Sequence, residues 1–153
     1  RKEKDKDNLH ESALRLLSRR EHSYDELLNK LIDRGFESSS VVQVLNEFIQ
    51  LDYLSNARYA KNMVVHRSKN GYGPIYIKKE LKTKGVDSAI IEDAFTESGI
   101  CWSTVAASRY RSHFQDSDIK DFSDWSKRAS YLRRRGFELD IIHQILGEWQ
   151  SNC

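Results

Sequence analysis

The amino-acid sequence predicts an all-α protein of nine helices, arranged as three tandem three-helix repeats that form an elongated, curved array. Three observations support this fold class. Apolar residues recur at helical spacing along nearly the whole chain, strand-like alternation is absent over any useful length, and glycines that can stop a helix recur about every fifty residues.

An internal repeat becomes visible when the chain is aligned on Gly35, Gly85 and Gly136, which lie 50 and 51 residues apart. A leucine stands four positions before each glycine, and an apolar residue follows directly after it. An acidic residue lies two positions after each glycine, where it favours the N-terminus of the next helix. The predicted boundaries are a disordered, charged end at 1–7 and repeats at 8–54, 55–99 and 100–153.

The first repeat carries a helix-start pattern at Ser23. Its hydroxyl can accept from the N–H of Glu26 while the Glu26 carboxylate reaches back, which is a capping box. The expected buried face of this helix runs through three leucines to Ile32. Helices are predicted over 8–20, 23–35 and 38–50.

The second repeat contains the single proline, Pro74, in the segment 67–86, which reads R-S-K-N-G-Y-G-P-I-Y-I-K-K-E-L-K-T-K-G-V. Pro74 fits the first helical position, where its missing N–H would have no partner. Gly85 fits a left-handed helix stop. Between them, Ile77 and Leu81 form an apolar stripe, and the lysines of this segment lie off it.

The remaining helices are predicted from weaker signals. Ser55 or Asn56 can cap the helix before Pro74, and Ser123 can cap the helix that ends in three arginines. The polar, acidic connection at 115–121 is expected to be a loop. These helices are predicted over 55–69, 74–84, 102–114 and 123–135.

Charge is unevenly distributed in a chain whose net charge is +2. Residues 58–84 hold eight Lys or Arg against one Asp or Glu, a local net charge of +7. Such a segment indicates binding to a polyanion or to an acidic protein surface, and a solvated helix face is the alternative. The third helices lie in the stretches 36–57, 86–108 and 136–153, which contain no Lys or Arg. This disfavours a helix-turn-helix DNA reader, because recognition helices usually contribute cations.

Enzyme chemistry finds little support in the sequence. The histidines are dispersed, and the G-Y-G motif lacks the G-K-[S/T] ending of a phosphate loop. Cys101 and Cys153 are interpreted as free thiols. No apolar run is long enough for a membrane span or a signal peptide, which predicts a cytosolic protein. We expect no catalytic residue, metal or cofactor. The histidines are His10, His22, His66, His113 and His143.

The pattern R-x-x-x-G-Y-G-P-x-x-I-x-x-x-L-x-x-K-G-V, from Arg67 to Val86, resembles the signature of the RecX family of bacterial recombination regulators. The segments 52–60 and 23–31 are similar to that family's second and first units, and L-R-R-R-G-F at 132–137 is similar to its third. The resemblance covers about 8–153. Asp52 stands where the family often has glycine, and a Ser-Asn pair replaces an acidic pair, which leaves only the local cap open.

The resemblance implies a protein that binds the RecA filament and lowers its ATP hydrolysis and strand exchange. It also implies weak binding to single- or double-stranded DNA without sequence preference. We expect this protein to be a monomer and not an enzyme. A helix-turn-helix DNA-binding protein and a repeat scaffold for unrelated proteins are the alternatives. Tyr72 and Tyr76 could stack on exposed bases or belong to the core. The candidate partner- or DNA-binding residues are Arg58, Lys61, Arg67, Lys69, Tyr72, Tyr76, Lys78, Lys79, Lys82, Lys84, Arg128, Arg133, Arg134 and Arg135.

Overall fold

All regular structure in residues 2–149 is helical. The computed structural model describes the backbone of these residues and the side chains of residues 8–149. Nine helices and no strand are present in this part of the chain, which confirms the predicted all-α fold class. The helices are α1 (Lys2–Arg19), α2 (Tyr24–Asp33), α3 (Ser38–Gln50), α4 (Asn56–Lys69), α5 (Pro74–Thr83), α6 (Ser88–Ser98), α7 (Trp102–Phe114), α8 (Phe122–Arg134) and α9 (Leu139–Leu146).

The chain divides into two compact units, Arg1–Asn62 with Leu81–Ala94 and Met63–Glu80 with Phe95–Cys153. In the first unit α1, α2 and α3 pack on one another, and in the second α9 packs on α7 and α8. Helices α4, α5 and α6 each contribute residues to both units. The division into three repeats and the curvature of the array stay predictions.

Helix α1 begins at Lys2, earlier than the predicted start at Asn8. Lysine and glutamate are good helix formers, so a helix can continue through charged sequence without apolar partners. The predicted disordered end at 1–7 overlaps this helix. Arg1 and residues 150–153, including the predicted free thiol of Cys153, lie outside the described residues, as do the side chains of 2–7.

Apolar periodicity accounts for the buried face of α2, with one correction. Leu27 and Leu31 are fully buried, whereas Ile32 is 38% exposed, so the prediction that Ile32 is buried is wrong. On a helix with 3.6 residues per turn, Ile32 lies about 120° from the centre of the stripe formed by the two leucines. That angle carries its side chain out of the core.

Only one of the two hydrogen bonds of the predicted capping box at the start of α2 forms. The N–H of Glu26 donates to the Ser23 hydroxyl at 3.1 Å, as predicted. The Glu26 carboxylate does not reach back to the Ser23 backbone. It accepts two hydrogen bonds from the Arg20 guanidinium, at 2.9 and 3.0 Å. The Arg20 guanidinium offers this carboxylate a full positive charge and two parallel hydrogen bonds, whereas the Ser23 backbone N–H offers a single bond without a formal charge.

Two further helix starts depend on side-chain caps. The N–H of Arg58 donates to the Ser55 hydroxyl at 3.1 Å, which selects Ser55 from the two predicted alternatives. Helix α8 is capped by Asp121, whose carboxylate accepts from the N–H of Asp124 at 2.8 Å. The predicted cap at Ser123 is therefore wrong. Aspartate is as strong an N-cap as serine, so Asp121 can start the helix two residues earlier than Ser123 would.

Within the described residues, no helix combines the length and the apolarity that crossing a bilayer requires.

Candidate partner-binding surface

The turn between α4 and α5 docks on the C-terminal end of α8. The N–H of Gly73 donates to the carbonyl of Arg135 at 2.7 Å, and the N–H of Ile75 donates to the carbonyl of Gly136 at 3.0 Å. A Cβ placed on Gly73 would lie 2.5 Å from the Gly136 carbonyl oxygen, so this close approach requires glycine. Pro74 occupies the first position of α5, as predicted. The G-Y-G-P motif is thus a docking element as well as a helix start.

A stack of one cation and two tyrosines covers this turn. Tyr72 and Tyr76 have ring centroids 4.2 Å apart at an interplanar angle of 20°, and the guanidinium carbon of Arg135 lies 3.8 Å from the Tyr72 centroid. Two groups this close to one ring occupy opposite faces, so both faces of Tyr72 are covered. Arg135 also donates to the carbonyls of Asn70 and Gly71. Tyr76 is 37% exposed and therefore has ring surface available for a partner.

Arg67 is paired with Glu80, which is the single acidic residue of the segment 58–84. Two hydrogen bonds of 2.7 and 3.0 Å join the guanidinium to the carboxylate, and they raise the pKa of Arg67. The charge of Arg67 is thereby compensated within the molecule. Lys78 is half-buried, and its ammonium lies 5.0 Å from the centre of the Phe95 ring. Both residues have structural contacts that a partner would have to share.

Two predicted cations of the first unit are also paired. Arg58 donates to Glu21 at 2.5 Å, and the ammonium of Lys84 lies 3.4 Å from the Glu26 carboxylate. Burial would raise the pKa of Glu26, but the hydrogen bonds and charge of Arg20, with the charges of other neighbours that include Lys84, lower it to about 2. Glu26 is therefore ionised at neutral pH. Arg58 and Lys84 compensate carboxylates, so they add little to an attractive field.

Arg128 is not a surface residue, so its assignment to the binding set is corrected. Its side chain is 4% exposed. The guanidinium donates to Asp124 at 3.1 Å, to the Tyr110 hydroxyl at 2.7 Å, and to the carbonyls of Ser117 and Asp118 at 2.8 and 3.2 Å. These bonds hold the loop after α7 against α8. Periodicity could not indicate this, because arginine is usually exposed unless it is paired.

The other predicted cations lie at the surface. On α5, Lys79 and Lys82 are exposed, while Ile77 and Leu81 are fully buried. The two lysines therefore lie off the apolar stripe. The exposed cations of the predicted set are Lys61, Lys69, Lys79, Lys82, Arg133 and Arg134.

Sequence reasoning missed a cleft in the second unit. It has a volume of about 460 Å³, and its lining includes Lys69, Arg109 and the hydroxyl residues Thr104, Ser108 and Ser112. Arg109 was not among the predicted binding residues, because the sequence around it contains more acidic than basic residues. The available signal was the row of hydroxyl residues at four-residue spacing on one helix, with an arginine next to its middle member.

Metal-binding clusters are absent among the described side chains: no group of three His, Cys, Asp or Glu residues is placed to hold an ion. Cys101 is an exposed free thiol at the N-cap of α7. His10 contacts Glu47 at 3.1 Å and His22 is buried, so each takes part in a local contact.

Comparison with protein families gives two matches. Residues 55–94 match the family described as RecX, second three-helix domain, and residues 10–48 match RecX, first three-helix domain. The first match contains the segment from Arg67 to Val86.

Individual relatives cover nearly all of the chain. A protein of Legionella pneumophila (strain Corby) named regulatory protein RecX is 36% identical over 142 residues, which are 93% of this chain and 95% of that protein. A protein of the same name from Pseudomonas fluorescens is 36% identical over 135 residues, 88% of this chain and 87% of the relative. The crystal structure of RecX from Lactobacillus salivarius has the same fold, with a TM-score of 0.74 at 24% identity. The matched region covers 94% of this chain and 95% of that chain.

Proposed function

This chain belongs to the RecX family of regulatory proteins, and we propose that it binds the RecA nucleoprotein filament and inhibits the filament's ATPase and strand-exchange activities. It acts in the bacterial cytoplasm as a monomer and catalyses no reaction. Its own binding to single- or double-stranded DNA is weak and independent of sequence. The observation that carries the proposal is the identity to proteins named regulatory protein RecX over almost the full chain.

The contact surface in this proposal is the exposed side of α5. Lys79 and Lys82 are exposed there, and the exposed Tyr76 precedes them on the same helix. Arg58, Arg67 and Lys84 contribute less, because carboxylates of the same molecule compensate their charges. Exposed cations attract the phosphates of DNA or the acidic side chains of a filament through long-range electrostatics.

The test is the double variant Lys79→Glu with Lys82→Glu. Both side chains are exposed, so folding should survive at about 0.5 kcal/mol or less for each change. Lys78 is left intact because it lies over Phe95. We expect the variant to lose inhibition of RecA-filament ATP hydrolysis and to lose co-sedimentation with the filament.

The matched control is Lys120→Glu with Lys127→Glu, which reverses two exposed lysines outside the predicted set. It should inhibit like the wild-type protein. If the α5 variant inhibits at wild-type concentrations, α5 is a solvated face, and the contact moves to Arg133 and Arg134. If the wild-type protein ignores both RecA and nucleic acid, the repeat-scaffold alternative is favoured.

A further inference from the structure

The cleft of the second unit differs chemically from the rest of the basic surface. Its lining includes two cations, Lys69 from α4 and Arg109 from α7, and it contains no Asp or Glu. Elsewhere, Arg58, Arg67 and Arg128 each have a carboxylate within 3.1 Å. Within the described part of the chain, neither Lys69 nor Arg109 forms an ion pair. Their charges are therefore available to an anion that enters the cleft.

Arg109 is held in position by groups that leave its charge uncompensated. Its Nε donates to the Tyr131 hydroxyl at 2.7 Å. Its stem lies against Gly71, where an added Cβ would come within 2.9 Å of the Arg109 Cγ. The two terminal nitrogens of the guanidinium have no hydrogen bond to described residues. A fixed guanidinium with spare donors is well suited to a phosphate, which accepts two parallel hydrogen bonds.

Hydroxyl groups line the cleft along α7. Thr104, Ser108 and Ser112 recur at four-residue spacing, so they lie on one face of the helix and extend over about 12 Å along its axis. Ser68 of α4 also lines the cleft, but its hydroxyl already donates to the Val65 carbonyl at 2.8 Å, and the Thr104 side chain is hydrogen-bonded to Cys101. The hydroxyl donors that remain for a ligand are those of Ser108 and Ser112. Hydroxyls donate to phosphate oxygens without adding charge. Cations and hydroxyls together, without a carboxylate, make an environment for a phosphate group.

We propose that this cleft binds the phosphate of a nucleic-acid strand or of a nucleotide. A volume of about 460 Å³ lies within the range of small-molecule sites and exceeds what a phosphate alone would fill. The stack of Arg135, Tyr72 and Tyr76 adjoins the cleft, because Arg135 donates to the carbonyl of Gly71, which lines it. Because both faces of Tyr72 are covered, the exposed Tyr76 is the ring of this stack that is available to a base carried by the ligand.

The inference rests on the DNA binding included in the proposed function and assigns a site to it. It concerns residues outside the α5 surface, and binding can be measured without RecA. If the wild-type protein binds phosphate but does not inhibit the RecA filament, the proposed function alone is refuted. Intact filament inhibition without phosphate binding would refute the cleft assignment alone.

The test uses the isolated protein and three probes: inorganic phosphate, thymidine monophosphate and a short oligothymidylate. Amide chemical shifts in ¹⁵N spectra locate each probe, and fluorescence anisotropy gives the affinity for the oligonucleotide. The variant is Lys69→Gln with Ser108→Glu, two exposed positions that removal or addition of charge should not unfold. The control is Lys127→Gln, an exposed lysine on α8 outside the cleft.

We expect shifts at the end of α4 and along α7, and about tenfold weaker oligonucleotide binding by the variant with no change in the control. The slope of log affinity against log salt should fall by about 0.7 for the lost lysine contact. Tighter binding of the oligonucleotide than of the monophosphate identifies a strand as the ligand, and equal binding identifies a nucleotide. The proposal is overturned if no probe binds, if shifts lie outside the cleft, or if the variant binds like the wild type.

Discussion

Gly35 and Gly136 have nearly the same backbone conformation, with φ of +97° and +98°, but different surroundings. A Cβ on Gly35 would meet no atom within 4 Å, whereas one on Gly136 would lie 2.5 Å from the Cβ and the backbone nitrogen of Tyr76. Both glycines stop the second helix of a predicted repeat. Gly136 has the additional task of allowing α5 to approach, so the two positions separate backbone strain from steric contact.

Gly136→Ala should destabilise the protein more than Gly35→Ala. The change at Gly35 carries only the left-handed strain, about 1–2 kcal/mol, while the change at Gly136 adds overpacking, for a sum of about 2–5 kcal/mol. Urea unfolding of both variants measures the difference. Equal losses would mean that α5 does not pack closely against Gly136.

Glu80→Gln should strengthen binding to the filament and to oligonucleotides. The change removes the carboxylate that compensates Arg67, so one more cation becomes available, and the salt dependence should steepen by about one unit or less. The pair is partly exposed, so the loss of stability should stay within about 1 kcal/mol. Anisotropy titrations at several salt concentrations provide the measurement.

The control for Glu80→Gln is Glu148→Gln, which removes one negative charge at an exposed position after α9. A control that strengthens binding equally would show that net charge acts, and that Arg67 has no particular part.

Stability should fall as the pH drops below about 6.5, because of His22. This side chain is 1% exposed, its Nδ1 lies 3.0 Å from the Arg20 carbonyl, and its Nε2 lies 2.9 Å from the Lys30 ammonium. Burial lowers the pKa of His22 from its ordinary value of 6.5. His22 therefore takes up a proton at a higher pH in the unfolded chain than in the folded chain. Stability is lost as the pH falls from the unfolded pKa of His22 towards its lower folded pKa.

Unfolding free energies measured across the interval from about pH 7 to about pH 5 check the His22 prediction. His22→Gln should flatten the decline, even if the variant is less stable at every pH. Glu26, with a pKa of about 2, contributes a separate loss below its ordinary value of 4.5. A decline that persists unchanged in His22→Gln would assign the effect to another group.

Arg128→Met should lower stability without altering partner binding by the folded protein. The change leaves the Tyr110 hydroxyl and the Ser117 and Asp118 carbonyls without their donor, so amide exchange in the loop 115–121 should accelerate. The neighbouring Lys127→Met, at an exposed position, should change neither quantity. Weaker binding by folded Arg128→Met would return Arg128 to the binding set.

Local signals were sufficient to predict the helices. The glycine stops, the proline start and the apolar stripe of α5 each act within one or two helical turns, so a single sequence contains them. Local competition was harder to resolve. Asp121 displaced Ser123 as a cap, and Arg20 captured the Glu26 carboxylate, because both outcomes depend on which of two nearby polar groups wins.

The candidate site could be predicted only in part, because charge pairing is a long-range property. The sequence shows that Arg67 and Glu80 are cationic and anionic, but only the fold brings their side chains within 2.7 Å. Arg128 is buried by a loop, and Arg109 lies beside Gly71, which is distant in sequence. Counting charge in blocks therefore placed compensated arginines in the binding set and omitted an uncompensated one.

The docking of the turn before α5 constrains the order in which the chain can fold during synthesis. Gly136 follows Gly73 by 63 residues, and its carbonyl accepts the N–H of Ile75. A ribosome adds about 5–20 residues per second, so the second repeat emerges seconds before its partner carbonyls exist. During that interval the N–H groups of Gly73 and Ile75 lack these partners. The two hydrogen bonds to the Arg135 and Gly136 carbonyls can therefore form only after the end of α8 has left the ribosome.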